Sequence, residues 1–126
     1  MKNKWIFLAL LIGTAACQDD APTDTSTKTV VYEVITDSGN WFGSYTTETG
    51  ENYCICGPPL APSGWRYSFE VSTVPFELHV DATVECCADR PDAPDVTTNI
   101  YVDGKLVVSN TSNWAPGVAS ADYTVR

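Results

Sequence analysis

The sequence predicts an all-β domain, an antiparallel sandwich of about seven to eight short strands. Three observations carry that prediction. Residues 76–87, FELHVDATVECC, alternate apolar and polar side chains throughout, the period of a strand with one face on a core and one in water. Clusters of Gly, Pro, Asn and Asp recur at close spacing between β-branched and aromatic runs, as turns do in sandwiches. No segment sustains a helical period.

Residues 1–16 read as a secretory signal outside the fold. Lys2 and Lys4 precede an apolar run over 5–12, and Gly13, Thr14, Ala15 and Ala16 lead to Cys17, the basic start, short greasy middle and small-residue exit of an export leader. The run is well short of the roughly 20 residues that a membrane-spanning helix needs. Small residues ending on a cysteine resemble the lipobox of bacterial lipoproteins, with Thr14 where Leu or Val is more usual. That resemblance implies cleavage before Cys17, acylation of its thiol, and attachment to the membrane through lipid. Gln18-Asp19-Asp20 resembles the surface-export tag of Bacteroidetes-type lipoproteins, which implies the outer membrane and display at the cell surface. Residues 17–27 are then the lipidated cysteine and a small, polar, Pro-interrupted tether. Residues 28–126 form one β domain.

Within it, residues 29–36, TVVYEVIT, are rich in β-branched side chains and read as a strand. Asp37-Ser38-Gly39-Asn40 is a turn cluster. Residues 41–47 extend again with Trp41, Gly43 and Tyr45 on one face, and a Gly-containing loop leads back through a short strand over 53–56, so the two make a hairpin. Three prolines between Gly57 and Gly64 remove ladder donors and mark a crossover loop. Trp65, Tyr67, Phe69 and Val71 alternate with Arg66, Ser68 and Glu70 in the next strand. After Ser72–Pro75 comes the 76–87 strand, for which the chain supplies partners: an apolar-faced strand before it, another after it, and Cys54 and Cys56 upstream. Residues 88–95 form an acidic, proline-bearing loop. Strands over 96–102 and 105–109 flank Asp103-Gly104, a strong hairpin signal. Residues 110–116 are irregular around Trp114, and 117–125 supply the last strand, with Ala119, Ala121, Tyr123 and Val125 inward. Hairpins with one proline-rich crossover are compatible with an immunoglobulin-like arrangement of the sandwich.

Charge narrows the partners. The chain carries a formal −9, and loss of Lys2 and Lys4 with the leader makes it −11, because all 16 acidic residues lie at or after Asp19. Nucleic acid and anionic headgroups require a positive surface, so neither is expected to bind.

Cys54, Cys56, Cys86 and Cys87 remain in an exported chain, where an even number of cysteines points to disulfides. On a straight strand Cys54 and Cys56 share a face, while Cys86 and Cys87 leave opposite faces. Bridges within either pair are therefore expected to be strained, and two links between the segments are favoured, in either crossing pattern. Each would close a loop of about thirty residues, worth roughly 3–4 kcal/mol in the chain-entropy model. A tetrahedral thiolate site for zinc or copper is the alternative, but the CxC and CC spacings are not those of common zinc ribbons.

His79 is the single histidine and lies between Glu77 and Asp81 on the polar face of its strand. Side chains two apart there can reach one ion, although an exposed histidine among carboxylates is the simpler account. Asp89, Asp92 and Asp95 share a loop without EF-hand spacing and read as a solvated acidic loop. No phosphate-binding loop, cofactor motif or nucleophile–histidine set is specified, so neither catalysis nor a cofactor or resident metal is expected. Trp65 patterns as core, whereas Trp114 lies in a loop and is the candidate surface aromatic for stacking on a glycan.

Val31-Tyr32-Glu33-Val34, Gly64-Trp65-Arg66-Tyr67-Ser68-Phe69 and Ile100-Tyr101-Val102-Asp103-Gly104-Lys105 together resemble small β-sandwich lipoproteins of Bacteroidetes-type bacteria, which are similar to the core domain of MmpS-type transport accessory proteins. The resemblance implies an immunoglobulin-like sandwich attached to a membrane, with an envelope transporter as a partner. Expected activity is thus that of a non-enzymatic binding or transport accessory module, with surface glycan binding as the alternative.

Overall fold

The computed structural model of the protein describes residues 26–37, 39–84, 95–113 and 117–126. Eight strands are described: β1 (Lys28–Thr36), β2 (Trp41–Thr46), β3 (Asn52–Ile55), β4 (Trp65–Val71), β5 (Phe76–Val84), β6 (Val96–Val102), β7 (Lys105–Ser112) and β8 (Gly117–Val125). They form two four-stranded sheets, ordered β4-β1-β6-β7 and β3-β2-β5-β8, with every ladder antiparallel. No helix occurs among the described residues. The two-layered antiparallel β-sandwich is the observed fold.

Period-two patterning builds the core. Leu78, Val80, Ala82 and Val84 of β5 are buried, as are Val30, Tyr32 and Val34 of β1 and Ala119, Ala121 and Val125 of β8. Each sheet thus lays one apolar face against the other. A fully buried aliphatic side chain of this kind contributes about 1.5–3 kcal/mol by leaving water. Asp103 and Gly104 turn β6 into β7 with φ of 51° and 77°, the left-handed conformations that a tight two-residue hairpin demands. Asp103 also ties the turn to β1. Its N–H donates to Thr29 O at 2.8 Å, and its Oδ1 accepts from Thr29 N at 2.9 Å.

β5 pairs with β2, before it in sequence, and with β8, after it, while the directly flanking β4 and β6 lie in the facing sheet. Alternation reports which face a strand buries, not which strand lies beside it. Two expectations change. Among the described strands only β2–β3 and β6–β7 are hairpins within a sheet, and every other connection passes between sheets. β7 runs on to Ser112 rather than ending at Ser109. Its polar continuation pairs with β6, where Thr97 and Thr111 hydroxyls sit 2.8 Å apart.

Candidate functional site

At one flank of the sandwich the edge strands are β3 and β4, and rings close the gap between the sheets. The alternation of β4 sends Trp65, Tyr67 and Phe69 inward and leaves Arg66, Ser68 and Glu70 in water. Tyr45 of β2 is the hub, with ring centroids 5.1 Å from Trp65, 4.7 Å from Tyr67 and 5.4 Å from Tyr53. Trp65 and Tyr67 lie nearly parallel, 7° apart. Exposure rises toward the rim: Phe69 is buried, Trp65 is half-buried, and Tyr53 is 55 % exposed. Tyr53 is exposed because β3 is a four-residue edge strand with no strand on its far side among those described.

The crossover loop forms the other wall. Trp41 and Ala61 exchange backbone hydrogen bonds of 2.9 and 3.1 Å, and Trp41 Nε1 donates to Pro62 O at 3.1 Å. Ser63 Oγ accepts from Thr36 N and donates to Thr36 O, and Gly64 N donates to Val34 O at 2.9 Å. A loop with few donors of its own is thereby pinned to both sheets. Between it and β3 lies an open cleft of about 540 Å³, walled by Tyr53, Ile55, Pro58, Pro59, Pro62 and Trp65. At the far end of the ring cluster Tyr67 OH donates to Glu48 Oε2 at 2.5 Å. That bond is the main cause that pushes the Tyr67 hydroxyl up to about 12 and holds Glu48 below the usual carboxylate range.

Cys54 and Cys56 also line this cleft, both exposed. Their sulfur atoms are in contact, against the expectation that bridges run between segments. That expectation assumed a straight strand. β3 ends at Ile55, and the Cα atoms of Cys54 and Cys56 are only 5.2 Å apart, less than the ~6.6 Å of two extended residues. β2 also stands between β3 and β5, so the strand carrying Cys54 does not neighbour the one leading toward Cys86. Cys86 and Cys87 lie outside the described residues, as do Cys17, Trp114, Asp89 and Asp92.

A second cluster occupies the outer face of the β3-β2-β5-β8 sheet. His79 does not join Glu77 and Asp81 around one point. Glu77 instead accepts from Thr124 Oγ1 at 2.9 Å. His79 Nδ1 faces Asp122 Oδ1 at 2.6 Å and its Nε2 faces Asp81 Oδ2 at 2.9 Å. Ser44 Oγ donates to the same Asp81 oxygen. The hydroxyl thus meets a carboxylate, not the imidazole, so no nucleophile–base pair is assembled here. The carboxylates also flank the ring from opposite sides, and no cluster of three metal-ligating side chains occurs among the described residues. Asp122 had no local signal, because the β5–β8 ladder places it opposite His79 from 43 residues away.

Partial burial alone would lower the His79 pKa, but the hydrogen bonds and charges of Asp122 and Asp81 outweigh it and raise the value. A raised folded-state pKa favours the fold while the ring is protonated. The contribution is fully present below the ordinary value near 6.5 and is lost as pH climbs through the higher folded value. The groups are part-exposed, so the effect is of the order of a surface ion pair, about 0.2–1 kcal/mol. Chemical denaturation at pH 5 and pH 9 should show a small loss at the higher pH that His79→Gln removes; an equal slope in both proteins contradicts the clasp.

No family model matches the chain, and no curated protein matches it either.

Proposed function

We propose that the chain is a lipid-anchored, non-enzymatic binding module of the outer envelope whose ligand surface is the ring-lined flank between β3 and β4. The observation that carries this reading is Tyr53, a large ring left 55 % exposed beside half-buried Trp65 in a cleft with a pinned wall. Exposed aromatics in such a setting contribute ligand contact area at low entropy cost. The leader, Cys17 and the acidic residues after it support the anchor and the outer-membrane address. The short motifs in β1, β4 and β6–β7 support kinship with transport accessory sandwiches, and that role requires co-purification with a membrane exporter. The intact mass of the native protein tests the anchor: a chain starting at Cys17 and carrying acyl groups is expected, and one starting at Met1 contradicts it.

A further inference from the structure

We infer that the cleft between Tyr53 and the 57–62 loop takes an uncharged, polyhydroxylated ligand, a segment of neutral polysaccharide. This rests on the reading of the chain as an envelope binding module and names the ligand class for the same surface. The argument is one of complementarity. None of the side chains lining the cleft is charged, although the domain around it is strongly acidic. A cationic ligand would find no carboxylate there, and an anionic one would meet the field of the whole domain.

The hydrogen-bonding capacity of the loop wall is weighted toward acceptors. Pro58, Pro59 and Pro62 bring carbonyl oxygens and no N–H groups. Pro62 O is taken by Trp41 Nε1 and the polar atoms of Ala61 by Trp41. The carbonyls of Gly57, Pro58 and Pro59 have no backbone donor among the described residues. An acceptor-rich wall calls for a donor-rich ligand, which excludes proline-rich peptide and favours sugar hydroxyls. The exposed ring of Tyr53 supplies the opposite requirement, a flat apolar face for the C–H side of a pyranose. The Cys54–Cys56 contact sits where it holds the end of β3 against the start of the loop.

The test uses the mature, lipid-bearing protein extracted in non-ionic detergent and run on native gels cast with laminarin, dextran, mannan or neutral xylan, with alginate as the charged control. The wild type should be retarded by at least one neutral glycan and not by alginate. Tyr53→Ala should weaken that retardation about tenfold, and Tyr53→Phe should keep it. His79→Gln, on the outer face of the sheet, should behave as wild type. Because Tyr53 touches Tyr45, an unchanged thermal melt of Tyr53→Phe keeps the comparison valid if Tyr53→Ala unfolds. Four results would each overturn the proposal: no retardation in any neutral gel, retardation indifferent to Tyr53→Ala, equal retardation in alginate, or binding of a polyproline peptide or of a second copy in place of glycan. Loss of glycan binding with the lipid intact would leave the anchor standing, and the reverse result would leave the cleft standing.

Discussion

Trp41→Ala should be the most damaging single substitution, lowering stability by about 3–5 kcal/mol. Trp41 is fully buried, packs edge-on against Trp65 at 5.1 Å, and is bonded to the crossover loop through both backbone and side chain. Removing it opens a cavity and also frees the loop wall of the cleft. Against a total of about 5–15 kcal/mol for a domain of this size, that loss is a large fraction. Urea denaturation should show a lower midpoint at an unchanged slope. Trp41→Phe should lose less, because most of the apolar volume stays and chiefly the bond to Pro62 O is given up, about 1 kcal/mol. A midpoint for Trp41→Ala within experimental error of wild type would contradict the packing described.

Gly43→Ala is the second. A Cβ at Gly43 would collide with the backbone carbonyl of Asp81 on the adjacent strand. Backbone cannot swing aside as a side chain can, so β2 and β5 must separate locally, at about 1–3 kcal/mol. The strain falls in the middle of a ladder that also holds Ser44 against Asp81. Gly57→Ala is the matched control: a Cβ there meets nothing within 4 Å, and its midpoint should stay within about 0.5 kcal/mol of wild type. Equal midpoints for the two variants would show that the close approach is not real.

Much of the sandwich was legible in period-two patterning. The faces assigned to β4, β5 and β8 match the buried side chains, because a one-residue slip would turn an apolar row into water. The Asp103-Gly104 turn was legible for a local reason, since few residue pairs accept positive φ twice. What local pattern cannot carry is which strands become neighbours. That is why neither the identity of the neighbours of β5 nor the place of Asp122 beside His79 carries a local signal. The expected end of β7 at Ser109 falls short because Asn110–Ser112 is polar, yet an outer edge strand needs no apolar alternation to pair. The cleft was half legible. Tyr53 shares a strand face with Ile55, and that pattern alone does not separate a core residue from a rim residue. The signal that would have marked it as a rim residue was the brevity of β3 between a turn and a run of prolines, the mark of an edge. Trp114, the surface aromatic favoured by sequence, lies outside the described residues.

The claim on which the rest depends is that residue 17 carries the lipid that holds this sandwich at the envelope. The intact mass of native protein, taken with and without thiol alkylation, tests it in one measurement. The expected mass is that of residues 17–126 plus the acyl groups on Cys17, with Cys54 and Cys56 refusing the alkylating reagent until reduced. A chain that still begins at Met1, or one that begins elsewhere and carries Cys17 as a free thiol, would contradict it.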